Sequence, residues 1–315
     1  MAQSAQPAPS PRPAGSGWPH RLALLTTAST LALIFAGGLV TSLNAGLAVP
    51  DWPTTFGYNM FLFPFSRMVG GVLFEHTHRL LGSAVGILTV LTAAALWVSD
   101  RRSGMRWLGG SALLLVILQG VLGGLRVILI EHDLAIVHAI TAQLFFGLMA
   151  CIAALTARAA PMGKAEEDSW LRRLAILLAV LLYAQTVFGV LLRHTGGSLD
   201  LHLLLGVLVL FLAVYVAART LKQKEEAPAA ALPAQALVAL VFAQIFLGAL
   251  SWLVKYTPME GFTTPWAIVL ITSAHVAGGS LLIAASLFLC LRLYRAGSRG
   301  GEKAEGGLLA REAAT

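Results

Sequence analysis

The sequence predicts an all-α polytopic membrane protein, with eight transmembrane helices forming two similar four-helix bundles related by a pseudo-two-fold along the membrane normal. Three observations predict it. Only 12% of the 315 residues are charged and 57% are hydrophobic, whereas a soluble domain carries about 25% charged residues. Eight uncharged runs are long enough to cross a bilayer. A set of short motifs occurs twice in the same order. The mean hydropathy of +0.78 excludes a soluble enzyme, a disordered scaffold and a secreted disulfide module.

A bilayer core of about 30 Å requires about 20 apolar residues per helix. With histidine counted as neutral, the long uncharged runs are 22–50, 80–99, 107–125, 134–157, 174–192, 201–218, 227–254 and 261–291. The stretch 52–66 is also uncharged but holds Trp52, Pro53, Gly57 and Pro64. Such a backbone cannot span lipid unpaired, so it reads as an interfacial loop. Residues 1–20, rich in Pro, Ala, Ser and Gly, read as a disordered cytoplasmic tail, with helix 1 an uncleaved anchor. Residues 21–158 form the N-terminal half, 159–170 a cytoplasmic linker, 171–295 the C-terminal half and 296–315 a solvated cytoplasmic tail. A second linker is expected over 222–233.

Lys and Arg set the orientation. With the N-terminus inside, 17 of the 22 lie on cytoplasmic segments, and Arg67, Arg79, Arg126, Arg193 and Lys255 fall outside. The net charge of +7 is therefore a topology signal and not a nucleic-acid footprint. Cys151 and Cys290 form no CxxC or zinc pattern and read as small buried side chains.

The repeat rests on three matches. His78-Arg-Leu-Leu-Gly82 resembles His202-Leu-Leu-Leu-Gly206, Gln119-Gly-Val-Leu-Gly123 resembles Gln244-Ile-Phe-Leu-Gly248, and His138 pairs with His275 across about 12 extra residues in the last external loop. Four helices return the chain to its starting side, so the halves share orientation.

His78, His138, His202 and His275 each fall on an even-numbered helix, in its outer part. One such histidine is most simply a core residue bonded to a neighbouring helix. Four at matching depth suit two pairs of neutral imidazoles, each pair able to hold a six-coordinate haem iron in a bundle core. Gly82, Gly86, Gly206, Gly278 and Gly279 would admit a flat macrocycle, or simply close helix packing. Arg79, Arg126 and Arg193 lie on the histidine side and are candidate propionate partners, with interface anchoring as the plain alternative. His20, His76, His132 and His194 read as tail or loop residues, solvated or supporting at most. Glu75 precedes His78 by three, sharing its helix face; its plain role is to interact with the helix dipole. No carboxylate stands three before His202, so the halves differ chemically at this point.

At these residues the chain resembles the haem A synthase family. The carrying segments are GGLVTSLNAGLAVPDWP (37–53), EHTHRLLG (75–82), QGVLGGLRV (119–127), VHAITAQLFF (137–146), HLLLG (202–206) and AHVAGG (274–279). The resemblance spans about residues 20–295. It implies that His78 and His138 hold the substrate haem O, that His202 and His275 hold a haem b cofactor, and that Glu75 is catalytic. The implied reaction oxidises one methyl group of haem O to a formyl group, through an alcohol and a hydrated aldehyde, giving haem A for terminal oxidases. Implied partners are a haem O synthase for hand-over, the terminal oxidase, the lipid bilayer and further copies of the chain. A bacterial plasma membrane is favoured over the mitochondrial inner membrane. Some members carry a cysteine pair in the first external loop; residues 45–74 have none, so no thiol-linked step operates there. The rival readings are a non-enzymatic dihaem b-type cytochrome, which leaves Glu75 unexplained, and a transporter, which would show charges at mid-depth.

Overall fold

A computed structural model describes residues 17–157, 168–225 and 228–312, with side chains up to Arg295. Among these are eight helices, each long and apolar enough to cross a membrane, and no strands. They are α1 (Trp18–Ser42), α2 (Gly71–Ser99), α3 (Ser103–Leu129), α4 (His132–Thr156), α5 (Ser169–Thr195), α6 (Leu199–Lys222), α7 (Pro228–Tyr256) and α8 (Pro265–Glu312). The spanning part of α8 is Pro265–Arg295. Most of the expected N-terminal tail and of the 159–170 linker lies outside the described residues.

The helices pack as two rings. In the first, α1 touches α2, α2 touches α3, α3 touches α4 and α4 returns to α1; α5 to α8 repeat this order. The rings meet through α1 and α4 against α8, and through α4 against α5. Their seam is polar. Arg193 Nη2 donates to the Gly38 carbonyl at 2.8 Å and to Ser42 Oγ at 2.7 Å, and Ser280 Oγ donates to Gln143 Oε1 at 2.8 Å.

Each ring has its own apolar core, and both cores occupy the same end. In the first ring Ala23, Val85, Leu96, Met105, Ala112, Phe145, Met149 and Ile152 cluster. In the second, Leu171, Leu178, Leu182, Val216, Leu237 and Leu289 do so. These residues lie in the first halves of odd-numbered helices and the second halves of even-numbered ones. The four intramembrane histidines lie at the opposite end, within the first three turns of their helices. Large aliphatic side chains therefore seal one end of each bundle and leave the other to polar groups.

Two boundaries differ from the charge-defined runs. The first run stops being helical at Ser42, because Asn44 takes a left-handed conformation (φ 51°) and residues 43–50 fold back over the bundle. Helix α2 begins at Gly71, well before the run starting at residue 80, so Glu75, His76, His78 and Arg79 are all helical. A charge ends an uncharged run only when lipid is its alternative; here the folded loop supplies partners. Gly70 starts α2 with φ 55° and ψ −133°, a conformation that only glycine adopts at low cost. The expected 222–233 linker is also shorter, since α7 starts at Pro228 and includes Pro233. Pro228 suits the first helical position, whereas Pro233 lies one turn inside α7 and leaves the Ala229 carbonyl without its helical N–H. The extra residues before the last helix form a 3-10 turn, Pro258–Phe262.

Candidate functional site

The segment 43–70 is a built structure resting on α2. The Asp51 carboxylate accepts from the Thr54 hydroxyl, from Phe56 N–H at 2.7 Å and from Gly57 N–H at 2.8 Å. These bonds hold Phe56 at φ 50°, which a bulky residue rarely adopts. Although burial pushes the other way, they keep the Asp51 carboxyl below its ordinary value of 3.8. His76, expected in a loop, is 1% exposed on α2. Its Nδ1 meets the Thr55 hydroxyl at 3.1 Å and its ring packs against Phe63. The loop covers His76, which explains the correction.

Glu75 and Arg79 complete the latch. Arg79 Nη2 donates to Glu75 Oε1 at 2.8 Å and to the Val49 carbonyl at 3.0 Å. Arg79 Nη1 donates to the Asp51 carbonyl at 2.6 Å and the Thr54 carbonyl at 3.2 Å. Glu75 Oε2 accepts the Val49 N–H at 2.9 Å, and the residue is 4% exposed. Glu75 thus lies in the second turn of α2 and bonds to the loop, leaving little for a helix-dipole role. Both guanidinium ends of Arg79 are taken up by protein carbonyls and Glu75. Arg193 is likewise engaged, bridging α5 to α1 as described above. Arg126 differs: its guanidinium lies against the Gly46 backbone, with Glu75, His78 and His138 close enough to interact electrostatically.

The structure brings the four histidines together two by two, one pair in each ring. His202 and His275 face each other across the second ring, on helices that are not adjacent, with ring centroids 6.3 Å apart. His78 and His138 occupy the corresponding diagonal of the first ring, on α2 and α4, and interact electrostatically. In each case the imidazole lies over a glycine of the preceding helix. A Cβ on Gly37, Gly123, Gly189 or Gly248 would stand 3.1, 3.4, 3.1 or 2.9 Å from Cε1 of His78, His138, His202 or His275. A Cβ at Gly37, Gly189 or Gly248 would press on the ring, whereas at Gly123 it would be close to ordinary contact.

The cradle also orients the rings. His202 Nδ1 faces the Gln185 carbonyl at 3.3 Å. The carbonyls of Leu33, Gln119 and Gln244 face the other three rings, with geometry too open for a bond at His78 and His275, whose buried Nδ1 atoms have no partner. Their Nε2 edges are left open. An Nδ1–H directed at a backbone carbonyl presents Nε2 as the metal ligand. Two metal–imidazole bonds of about 2 Å, with about 1 Å more to each ring centre, place the centroids about 6 Å apart. The His202–His275 separation fits one metal atom between two rings. Among the described residues no group of three or more His, Cys, Asp or Glu is placed to hold a metal ion.

The cradling glycines were missed by sequence reasoning, which singled out Gly82, Gly86, Gly206, Gly278 and Gly279. Three of these are not open faces: Gly206 lies under the Gln185 amide, and Gly278 and Gly279 under that of Gln244. The available signal was the spacing Gln-x-x-x-Gly, which occurs at 119–123, 185–189 and 244–248. Of the other histidines, His132 is exposed as expected, while His20 and His194 are half-buried. His20 Nδ1 meets the Ala153 carbonyl at 3.0 Å, and His132 Nε2 meets the His194 carbonyl at 3.0 Å.

Comparison with known proteins adds two findings. Residues 63–201 match a family described as COX15-CtaA, cytochrome oxidase assembly protein. The chain is also 27% identical over 193 residues to a protein of Shouchella clausii (strain KSM-K16) named heme A synthase, a match covering 57% of this chain and 60% of that protein.

Proposed function

We propose that the chain, whose residues 63–201 match the COX15-CtaA family of cytochrome oxidase assembly proteins, is a haem A synthase, an oxidoreductase converting a methyl group of haem O to a formyl group. The observation that carries the reading is the pair of diagonal histidine sites, each imidazole cradled by a glycine, with a buried carboxylate beside only one of them. An electron carrier needs no such asymmetry.

In this reading His78 and His138 hold haem O as substrate through Nε2, and His202 and His275 hold a haem b. The haem b supplies one-electron transfer. Arg126, the guanidinium not committed to the loop or the seam, faces a propionate of the substrate. Arg79 and Arg193 act from further back: Arg79 holds the loop over the site, and Arg193 ties α5 to α1 beside Gly37. The latched loop excludes water, which strengthens electrostatic interactions beneath it. Removing hydrogen and electrons from the substrate's methyl carbon builds positive charge there. The Glu75 carboxylate, paired with Arg79 and fixed by the Val49 N–H, stabilises that charge and accepts a proton on a free lone pair. Overall the methyl carbon takes up one oxygen atom and gives up four electrons and four protons (R–CH3 + H2O → R–CHO + 4 H+ + 4 e−), through an alcohol and a hydrated aldehyde that loses water, and the electrons leave to an external one-electron acceptor.

Hand-over from a haem O synthase and onward to a terminal oxidase follows from the poor solubility of substrate and product. The test is co-expression with a haem O producer, followed by mass analysis of extracted haems. The expected result is haem A or its alcohol precursor beside haem B. Haem B alone would indicate the dihaem cytochrome instead.

A further inference from the structure

The cradles belong to a reciprocal device repeated around both rings. On α3, α5 and α7 stands Gln-x-x-x-Gly: Gln119 with Gly123, Gln185 with Gly189 and Gln244 with Gly248. On the following helix stands His-x-x-x-small: His138 with Ala142, His202 with Gly206 and His275 with Gly279. The imidazole fills the space over the glycine of the odd-numbered helix. In return, the glutamine amide reaches the even-numbered helix and bonds to the histidine's own backbone. Gln185 Nε2 donates to the His202 carbonyl at 2.9 Å, and Gln244 Nε2 to the His275 carbonyl at 2.7 Å. In the orientation that satisfies both its amide atoms, Gln119 donates to the His138 carbonyl at 3.2 Å and accepts the Ala142 N–H.

The first hairpin departs from this pattern. Gly37 cradles His78, but the residue four before it is Leu33, which has no amide to donate. A Cβ on Gly206 would meet the Gln185 amide at 3.3 Å and one on Gly279 the Gln244 amide at 3.4 Å, whereas one on Gly82 would meet nothing within 4 Å. The bond that ties three histidines to the neighbouring helix is missing from the fourth, and the space it would occupy is open.

We infer that Gln119, Gln185 and Gln244 are positioning residues that tie their histidines to the preceding helix, and that Leu33 leaves His78 as the one untied ligand, through which the N-terminal half releases its haem. The inference rests on the reading of His78 and His138 as the substrate site. To withdraw from a metal, His138, His202 or His275 must move against a cross-helix hydrogen bond at the residue that carries the ligand. His78 has no such side-chain bond at its own backbone, since Leu33 offers no amide. A substrate must leave at every turnover and an electron relay must stay, so the halves need opposite behaviour. Outer partners of metal-bound histidines commonly alter affinity by about 10- to 100-fold.

The experiment uses the full chain, purified in detergent, loaded with iron protoporphyrin IX and mixed with excess apomyoglobin as acceptor. The parent should release haem in two phases, with the fast phase absent from His78→Ala. Leu33→Gln should slow the fast phase about tenfold, and Gln244→Leu should accelerate the slow phase about tenfold. Unchanged rates in both variants, with two phases present, would overturn the inference and leave the two-site reading standing. Should Leu33→Gln fail to accumulate, Gln244→Leu decides alone, and an unchanged slow phase overturns the inference. A parent that takes up no haem, or whose single phase ignores all four histidines, overturns the two-site reading and the inference with it.

Discussion

Replacing Glu75 by Gln separates a loop latch from a reacting group. In the structure this carboxylate has two protein partners, Arg79 at 2.8 Å and the Val49 N–H at 2.9 Å. The amide keeps one acceptor oxygen and loses the charge. Severing a buried ion pair typically costs about 3–5 kcal/mol when the remaining charge is stranded. Arg79 is not stranded, since the carbonyls of Val49, Asp51 and Thr54 still accept from it. The loss should therefore be close to that of one charge-assisted hydrogen bond, about 2 kcal/mol. A protein with about 5–15 kcal/mol of stability stays folded after such a loss. If Glu75 stabilises charge at the reacting methyl, haem A per folded molecule should fall by more than a hundredfold, about 2.7 kcal/mol of barrier. Haem O or the alcohol should accumulate on a haem-loaded protein. The assay is mass analysis of extracted haems, normalised to bound haem B, beside a thermal melt. Glu75→Asp keeps the charge one methylene further back and should be intermediate. Arg79→Gln breaks the same pair from the other side, so it should cost at least as much stability but less product. Parental haem A output from Glu75→Gln would refute the catalytic assignment. Equal product losses in Glu75→Gln and Arg79→Gln would reduce Glu75 to a latch.

Substituting His202 or His275 by Ala should deplete haem B from the purified protein, while His78→Ala or His138→Ala should chiefly remove haem O and its products; identical loss of every haem from all four would refute separate sites. Asp51 gives a pH dependence. Its folded carboxyl lies below its ordinary value of 3.8, so its contribution to loop order is complete above that value and is lost as pH falls through the depressed one. The exchange protection of residues 51–58, taken relative to the intrinsic rate at each pH, should fall at low pH in the parent, whereas Asp51→Asn should show reduced protection at neutral pH already. Topology is tested by reporter fusions after residues 60 and 165, which should report opposite sides, with the 43–70 loop external; the same side for both would refute the orientation.

The arginines show how far charge patterning reaches. Arg126 could be placed near a histidine pair by position alone, because it ends α3 on the histidine side. Arg79 and Arg193 satisfied the same criterion, yet their partners are loop and helix carbonyls that only folding brings near. The four histidines were legible because an imidazole in an apolar run has no cheap local explanation, and four at one depth have a joint one. Their cradles were not, because a glycine in a transmembrane helix is common and its use depends on the neighbouring helix.

The eight membrane-length helices among the described residues were determined by the sequence itself, as was the place of four histidines in the first turns of the even-numbered ones. Hydropathy over about 20 residues is a local property, and lipid leaves the backbone almost no alternative to a helix. Tertiary structure decided where α1 ends and α2 begins, that His76 is buried, that Glu75 is held by Arg79 and Val49, and that one cradle of four lacks its glutamine bond. Each of these depends on a contact between segments far apart along the chain, where the partner of a polar group, and not its own hydropathy, sets its cost.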